Sequence, residues 1–504
     1  MNKALPIMIQ GTHSDAGKSV IATGFCRIFA QDGYRTAPFK SQNMSLNSYI
    51  TVDGKEIGRA QGVQAEAART VATADMNPIL IKPVSDHTSQ IVVNGKPYQN
   101  YKAAAYRQEF FELGLQVIKE AYHHLASTYE RIVIEGAGSP AEINLNDREL
   151  VNMRIARLTN APVILVGDID RGGVFASLVG TLQLLEPEDR DRVIGVVINK
   201  FRGDISLLEP GLRWFEEYTG KPVLGVVPYI SNLNIEAEDA VILDTFPRTN
   251  EKTSEIDIAV IHVPHISNFT DVDPFLYEKD CHVRYVKEAN ELREPDVVIL
   301  PGTKNTIEDL LLLRKSGFAD AIEKLYRAKK SVIVGICGGY QMLGREISDP
   351  HHVETTIGSA NGFGFFPIRT AMMKEKRTTL TTGMAHLADC NVPVEGYEIH
   401  MGTTSYEGDV SPFITTEEGV DGCISQDSLL IGTYFHGIFH NDEFRTAFLN
   451  LIRKRKGLPA IYERPSMKNI REEAFDRLAD CLRKHVDIEC IYREMERFQS
   501  KSFF

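Results

Sequence analysis

Short apolar runs rich in Val and Ile alternate along the chain with longer segments of helical periodicity. This alternation is typical of parallel β-sheets flanked by helices, and it argues against a β-sandwich. The strand candidates form two series, separated by a polar stretch after Pro228. The first series comprises RIVIEG from residue 131, APVILVGD from 161, RVIGVVINK from 192 and PVLGVVP from 222; the second comprises IDIAVIHVP from 256, PDVVILPG from 295, SVIVGIC from 331 and LLIGTYFHG from 429.

The break between the two series predicts two α/β domains, which also suits a length of 504 residues. We expect one domain over residues 1–230, a linker over 231–256 and a second domain over 257–455. Beyond residue 456 the chain is charged and has helical periodicity, so residues 456–504 are predicted to be a helical appendage.

Charge and cysteine usage narrow the choice of partners and compartment. A formal net charge of −12 gives no electrostatic drive toward nucleic acid or anionic membranes, so we expect neither partner. No run of 18 apolar residues and no export signal is visible. The seven cysteines are odd in number, widely spread and without CxxC pairs, which predicts reduced thiols and a cytoplasmic location.

Residues 11–19, GTHSDAGKS, lie between an apolar strand candidate and a helical pattern. In that context backbone N–H groups and a helix N-terminus cradle phosphate, a lysine adds charge, and a serine can ligate Mg²⁺. The alternative is a plain strand-to-helix turn. Counted from its first glycine, the loop is one residue longer than GxxxxGK[ST], and it resembles that of dethiobiotin synthetase, which phosphorylates a carboxylate-type group. The candidate ATP-binding residues are Gly11, Thr12, Gly17, Lys18 and Ser19, and Ser19 is also a candidate metal ligand.

Acidic residues at two other strand ends are candidates for the same metal. Glu135 ends the RIVIE strand before GAGSP, where a carboxylate could hold Mg²⁺; the alternative is an ordinary acid at a strand end. Asp168 and Asp170 in GDIDRGG are weaker candidates of the same kind.

Two further residues bear on the nucleotide and on the group that it phosphorylates. Asn199 begins NKFR, which is similar to the guanine-reading NKxD element, but Arg202 stands where the aspartate belongs. We therefore expect Asn199 to contact ATP rather than GTP. Lys40 in PFKSQN could neutralise a substrate carboxylate or a transferring phosphoryl group, or could be a solvated lysine.

The string SVIVGICGGYQMLG places Cys337 at the tip of a buried strand, before two glycines and a helical pattern. This pattern is typical of a nucleophile elbow, in which a tight turn exposes the side chain and the next backbone N–H, that of Gly338, faces the developing oxyanion. A thiolate suits acyl transfer from an amide. The alternative is a cysteine buried as a small hydrophobe, for which flanking glycines would be a costly choice.

A histidine base is expected on another strand-end loop, and YFHGIFH supplies His436 after an apolar run. His440, four residues on, and His400 in GYEIHMGTT are rivals. The loop PGTKNT follows another strand candidate, so Gly302 could present a second oxyanion donor.

Taken together, ten segments resemble the glutamine-hydrolysing adenosylcobyric acid synthases of the cobalamin pathway, over residues 1 to about 450. They are GTHSDAGKS, PFKSQNMSLN, MNPILIKP, EGAGSPAEINL, GDIDRGGVFAS, HISNFTDVDPF, PGTKNTIEDL, GICGGYQMLG, EGYEIHMG and GTYFHGIFHN. The resemblance implies a P-loop, dethiobiotin-synthetase-like parallel-sheet domain followed by a class I glutamine amidotransferase domain of flavodoxin-like fold. Cys337 is then the nucleophile and His436 its histidine.

The resemblance also implies a reaction. ATP, with Mg²⁺, activates the b, d, e and g carboxylates of a corrinoid, adenosylcobyrinic acid a,c-diamide, as acyl phosphates, and ammonia released from glutamine at Cys337 amidates them. Ordinary class I amidotransferases carry a glutamate two residues beyond the histidine, where this chain has Ile438, so the residue that orients His436 is left open. The alternatives are a cobyrinic acid a,c-diamide synthase and, from another class, a partition-type ATPase, although His13 stands where such ATPases carry a signature lysine.

Overall fold

The structure is a computed structural model that describes residues 4–85, 88–236, 243, 246, 255–388 and 390–500. Its β-strands, in chain order, are β1 Leu5–Gly11, β2 Thr36–Phe39, β3 Gln42–Met44, β4 Ser48–Ile50, β5 Glu56–Gly58, β6 Ile79–Ser85, β7 Thr88–Val93, β8 Lys96–Lys102, β9 Arg131–Glu135, β10 Val163–Asp168, β11 Val193–Phe201, β12 Val223–Pro228, β13 Ile256–Ile261, β14 Cys281–Val286, β15 Val297–Leu300, β16 Val332–Ile336, β17 Glu346–Ser348, β18 Ser359–Asn361, β19 Ile368–Leu387, β20 Cys390–Tyr406, β21 Ile414–Thr416, β22 Gly419–Asp421, β23 Cys423–Ile424 and β24 Leu430–Thr433.

The α-helices are α1 Lys18–Gln31, α2 Arg59–Ala67, α3 Ala103–Glu109, α4 Phe111–Thr128, α5 Met153–Thr159, α6 Val174–Leu184, α7 Pro187–Arg192, α8 Ile205–Thr219, α9 Ala289–Leu292, α10 Thr306–Lys315, α11 Phe318–Arg327, α12 Gly338–Leu343, α13 Asp442–Arg455, α14 Met467–His485 and α15 Ile488–Ser500. Short 3-10 helices span Ala74–Met76, Asn146–Arg148, Phe269–Tyr277 and Ile438–His440. Within the described ranges, no helix is long and apolar enough to cross a membrane.

The chain folds into two compact units, each built from more than one stretch of sequence. The first contains the described residues of 1–45, 55–235 and 471–504, and the second those of 46–54 and 236–470. Most of the predicted linker, residues 231–256, lies outside the described residues. The predicted domain boundaries therefore stay a prediction.

The first unit is built on a parallel sheet with the strand order β12-β11-β10-β1-β9-β2. Its strands are apolar on both faces because helices cover both. A second sheet joins β3, β6, β7 and β8, and its β6–β7 and β7–β8 pairs are antiparallel.

Helices α1 and α14 pack together in the core of the first unit. Phe25 and Ile28 of α1 and Phe475 and Leu478 of α14 belong to one buried apolar cluster. At the edge of this contact the buried Arg27 guanidinium donates to Glu472 and Asp476, each at 2.7 Å. The charged C-terminal region thus contributes an apolar helix face to the first unit.

The second unit is built on a sheet with the order β14-β13-β15-β16-β24-β23, parallel except for β23. The long antiparallel hairpin of β19 and β20 belongs to a further sheet with β17, β18, β21 and β22. The eight strand candidates of the sequence are confirmed as β9 to β13, β15, β16 and β24, and the predicted α/β class is confirmed.

Candidate active site

Three candidate residues of the second unit follow neighbouring strands of its parallel sheet. Gly302 follows β15, Cys337 follows β16 and His436 follows β24, and these strands are adjacent in the sheet. Because the carboxyl ends of parallel strands meet at one edge of a sheet, the three residues come together. The Cys337 N–H donates to the Thr433 carbonyl at 2.8 Å, which ties the two strand ends to each other.

Cys337 occupies a strained turn that its surroundings enforce. Its backbone has φ 52° and ψ −107°, a conformation that residues with a Cβ rarely adopt. The turn packs closely behind the cysteine, because a Cβ on Gly339 would lie 2.0 Å from the Leu300 carbonyl oxygen. The sequence prediction of a tight strand-to-helix turn at Cys337 is therefore confirmed in geometry.

His436 is fully buried and held from two sides. Its ring stacks on Tyr397, with centroids 5.1 Å apart and planes 17° from parallel. Its Nδ1 lies 2.7 Å from Asp271 Oδ2, and the other oxygen of that carboxylate accepts a hydrogen bond from the Gly437 N–H at 2.7 Å. Asp271 thus fixes both the ring and the backbone beside it.

The pKa of His436 reflects these contacts. Burial lowers the pKa, but the charge and hydrogen bond of Asp271, together with a hydrogen bond to Cys337 and its charge, outweigh burial and raise the pKa to about 10. The imidazole can therefore hold a proton beside the Cys337 sulfur at neutral pH. A cysteine paired with a protonated histidine is the arrangement that acyl transfer on sulfur uses.

Asp271 is in position to orient His436, a role for which the residues beside His436 in the sequence offer no candidate. It lies in the 3-10 helix Phe269–Tyr277, which follows β13, the sheet neighbour of β15. The segment HISNFTDVDPF, among those that carry the family resemblance, contains it. No local motif in the sequence indicates the pairing, because Asp271 lies 165 positions from His436.

The two candidate oxyanion glycines lie on segments that are close to the cysteine–histidine pair. A Cβ on Gly302 would lie 3.1 Å from His436 Cε1, so its backbone passes next to the imidazole ring. A Cβ on Gly338 would lie 2.6 Å from Thr303 Cγ2 and 3.1 Å from Thr303 N, so the two segments touch. Both glycines are needed for this close approach.

The rival histidines have other surroundings. The His400 ring stacks on Tyr434 with centroids 3.8 Å apart, and its Nδ1 lies 2.7 Å from the Gly402 carbonyl oxygen. His440 lies at the end of the 3-10 helix Ile438–His440, with Nε2 3.7 Å from Glu236. Of the three candidates, His436 is the one that directly follows the region of β24 tied to Cys337, and Cys337 helps to raise its pKa.

In the first unit, the predicted phosphate loop connects β1 to α1. Gly17 precedes the helix with φ 97°, and a Cβ there would lie 2.1 Å from Asn199 Nδ2. The Asn199 amide donates to the Ala16 carbonyl at 3.0 Å. The structure therefore places Asn199 against the loop, where it sets the loop's conformation.

Polar groups at the base of the loop are buried but only partly satisfied. Lys18, 7% exposed, donates through Nζ to the His13 carbonyl at 3.0 Å. The Thr12 N–H donates to the Val166 carbonyl at 3.0 Å, whereas Thr12 Oγ1 has no hydrogen-bond partner within the described part of the chain. Gly11 is close to both, because a Cβ there would lie 3.0 Å from Lys18 Cγ. A buried cation and an unpaired hydroxyl suit a polyanionic ligand.

Glu135 is the centre of a buried polar cluster next to this loop. Ser19 Oγ donates to its Oε1 at 2.8 Å, Lys40 Nζ lies 2.9 Å from the same oxygen, and Gln64 Nε2 donates to Oε2 at 2.6 Å. Burial raises the pKa of Glu135, but the charge and hydrogen bond of Lys40 and the bonds from Gln64 and Ser19 hold it below its ordinary value. The carboxylate is therefore ionised.

The oxygen atoms of Ser19 and Glu135 fit a site for Mg²⁺, which prefers oxygen ligands and keeps several waters and phosphates in its shell. Asp168 and Asp170 are engaged elsewhere: Asp168 pairs with Lys200 at 2.7 Å and Asp170 with Arg202 at 3.2 Å. Within the described ranges no group of three or more His, Cys, Asp or Glu could hold a metal ion. A site completed by nucleotide phosphates needs no such group.

Comparisons with known proteins match the two halves of the chain to two different domain models. Residues 7–241 match the model of the CobQ/CobB/MinD/ParA nucleotide binding domain, and residues 257–444 match that of the CobB/CobQ-like glutamine amidotransferase domain. A solved structure titled as a glutamine amidotransferase is 13% identical, covers 40% of this chain and 99% of its own, and has a TM-score of 0.30.

Curated relatives match over almost the whole chain. The cobyric acid synthase of Geobacillus sp. (strain WCH70) is 62% identical over 99% of this chain and 100% of its own. That of Anoxybacillus flavithermus is 60% identical over 99% of both chains, and that of Thermoanaerobacter sp. (strain X514) is 51% identical over 98% of this chain and 100% of its own.

Proposed function

The chain belongs to the cobyric acid synthase family, and from that premise we propose that it is a glutamine-hydrolysing amidoligase acting on a corrinoid. Its substrate is adenosylcobyrinic acid a,c-diamide, and its product is adenosylcobyric acid. The b, d, e and g carboxylates are amidated with ammonia taken from glutamine at the expense of ATP.

The observation that carries this proposal is the buried Cys337–His436–Asp271 arrangement, in a chain that also has a phosphate loop. In the proposed mechanism, the Cys337 sulfur attacks the glutamine amide carbon, and the protonated His436 donates its proton to the leaving nitrogen and later takes one back from the attacking water. Ammonia leaves, and water then releases glutamate. Backbone N–H groups at Gly302 and Gly338 stabilise the oxyanion, and one such donor lowers the barrier by about 3–4 kcal/mol.

ATP is needed because a carboxylate at neutral pH does not react with ammonia. Transfer of the γ-phosphoryl group to a carboxylate oxygen gives an acyl phosphate, and ammonia then displaces phosphate. Ser19 and Glu135 would hold Mg²⁺, which would neutralise charge at the phosphates. Lys18 stabilises the transferring group, Lys40 faces the acceptor carboxylate, and Gly11, Thr12, Gly17 and Asn199 shape the nucleotide site.

The assignment of these steps to regions of the chain is part of the proposal. Residues 1–230 form the ATP-dependent amidoligase domain, 231–256 a linker, 257–455 the class I glutamine amidotransferase domain and 456–504 a helical appendage. We propose that the enzyme acts in the cytoplasm, where the free thiols of all seven cysteines would persist.

A single assay series tests the function. Glutamate release is measured with the purified chain and glutamine, with and without ATP, and then with adenosylcobyrinic acid a,c-diamide as acceptor. We expect ATP-dependent, stepwise amidation of that corrinoid. Amidation of cobyrinic acid instead would support the a,c-diamide synthase, and ATP hydrolysis without any glutaminase activity would support the partition-type ATPase.

A further inference from the structure

The first unit contains a cavity of about 530 Å³ that none of the proposed catalytic or nucleotide-binding residues lines. One wall is a face of the antiparallel strands β6, β7 and β8. Ile81 pairs with Ile91 and Ser89 pairs with Tyr101, so the four side chains point to the same side of the sheet. All four line the cavity.

The opposite walls come from helices and from the loop that follows β9. Tyr106 of α3 and Phe110 at the start of α4 line the cavity with stacked rings, their centroids 5.0 Å apart. Asn152 lines it and donates through Nδ2 to the Ala137 carbonyl at 2.7 Å, which fixes the loop after Glu135. The cavity is therefore a formed, largely aromatic and aliphatic pocket of the kind that binds small molecules.

The position of the cavity in the sheet order separates it from Asn199, which we expect to contact ATP. The phosphate loop follows β1, and Asn199 lies on β11, two strands to one side. The cavity lies on the other side, next to residues that directly follow β9 and β2: Ala137 is two residues beyond Glu135, and Gln42 two residues beyond Lys40. A ligand in the cavity would thus approach Lys40 and Glu135 from the side opposite Asn199.

The rim of the cavity combines apolar groups with charged groups of both signs, since two glutamates line it as well as two arginines. Met44 and Leu145, which line it, are 60% and 42% exposed although both are apolar. Arg107 and Arg148 also line it, and the Arg148 guanidinium donates to the Arg107 carbonyl. Exposed apolar side chains beside arginines suit a large apolar ring that carries carboxylates on its periphery.

We propose that this cavity is the corrinoid-binding site, which holds an edge of the macrocycle so that one peripheral carboxylate reaches Lys40 and the transferring phosphoryl group. The proposal rests on the proposed function for the identity of the ligand. Apolar walls contact the corrinoid ring without fixing one orientation. Several carboxylates could therefore reach the transferring phosphoryl group in turn.

The test is to fill the cavity and measure corrinoid binding. Ser89→Trp places a large ring on the lining face, and Asn100→Trp, on the opposite and exposed face of β8, is the matched control. Equilibrium dialysis with adenosylcobyrinic acid a,c-diamide gives the Kd, and ammonium serves as nitrogen source in the activity assay. We expect Ser89→Trp to weaken corrinoid binding at least about tenfold, a loss of about 1.4 kcal/mol, while KM for ATP stays within about twofold, since the phosphate loop is untouched.

A second variant guards against misfolding. Ala103→Trp fills the same cavity from the exposed start of α3 and is expected to weaken corrinoid binding in the same way. If both variants fold and bind the corrinoid with unchanged affinity, while the wild-type chain amidates it, the cavity assignment alone would be overturned. A wild-type chain that neither binds nor amidates the corrinoid would overturn the proposed function and this site together.

Discussion

The glutamine site and the phosphate loop differ in how their charges are balanced. At the proposed glutamine site the buried His436 faces the buried Asp271 at 2.7 Å, and Cys337, the proposed nucleophile, lies in a strained turn. At the phosphate loop, Lys18 donates to a backbone carbonyl and Lys40 is paired with Glu135, while a buried hydroxyl has no partner within the described residues.

This difference shows that the two sites are prepared for different tasks. A covalent reaction on Cys337 needs groups that are oriented before the substrate arrives, and packing and hydrogen bonds of the second unit supply that orientation. Phosphoryl transfer needs positive charge around a ligand that brings its own negative charge, and the first unit holds Lys18 on a backbone carbonyl and Lys40 on the Glu135 carboxylate. Variants at Cys337, Lys18 and Asp271 each disturb one site, and the activity of the other site serves as the reference.

The largest effect is expected for Cys337→Ser. Loss of the thiol should lower glutamine-dependent amidation at least about 10³-fold, because no other group forms the acyl intermediate. Amidation from added ammonium should stay near the wild-type rate. The exposed Cys390 gives a matched control, since Cys390→Ser should leave both activities unchanged. If folded Cys337→Ser lost amidation from ammonium as well as from glutamine, the separation of the two sites would be contradicted.

Lys18→Ala should produce the complementary pattern. Amidation should fall about 10²–10³-fold from glutamine and from ammonium alike, because the charge that stabilises the transferring phosphoryl group is removed. ATP-independent glutaminase activity should remain. Lys119, an exposed lysine of α4, gives the control Lys119→Ala. Wild-type turnover in Lys18→Ala would exclude the phosphate-loop assignment.

Asp271→Asn should weaken the glutamine site without removing it. Without the carboxylate, the pKa of His436 should fall from about 10 toward its ordinary value of 6.5. The alkaline limb of the glutaminase pH profile should move down accordingly, and kcat at neutral pH should drop by about 10²-fold or more. Ammonium-dependent amidation in the same variant serves as control. An unmoved alkaline limb would show that Asp271 does not set the protonation of His436.

Part of this comparison could be predicted from the sequence. The motifs GICGGYQ and GTHSDAGKS predict local turns after strands, and so they identify Cys337 and Lys18. The apolar runs predict the parallel strands. Asp271 was not predicted, because its pairing with His436 depends on strand order in the sheet. The packing of α14 on α1 was also not predicted, since amphipathic periodicity identifies an apolar face without naming its partner.

The smallest effect concerns stability. Burial raises the pKa of Asp421 to about 7, although Thr433 Oγ1 and the Tyr434 N–H donate to its carboxylate. A raised folded pKa means that stability is fully present below the ordinary value of 3.8 and is lost as the pH rises to about 7.

Asp421→Asn should therefore stabilise the second unit relative to wild type by about 1–3 kcal/mol at pH 8, and less at pH 5.5. Thermal unfolding at both values measures the difference. Asp427→Asn, at a partly exposed aspartate whose Oδ2 is 2.9 Å from Lys329, should show no such rise with pH. A pH-independent difference for Asp421→Asn would mean that the carboxylate is ionised throughout.

The most direct test of the account follows the nitrogen itself. The wild-type chain is given ATP, adenosylcobyrinic acid a,c-diamide and glutamine labelled with ¹⁵N in its amide, without added ammonium, and the corrinoid products are resolved by mass spectrometry. The account predicts ¹⁵N in each newly formed amide, with one ATP hydrolysed for each. Corrinoid products that carry no ¹⁵N, or none formed at all while glutamine is hydrolysed, would contradict it.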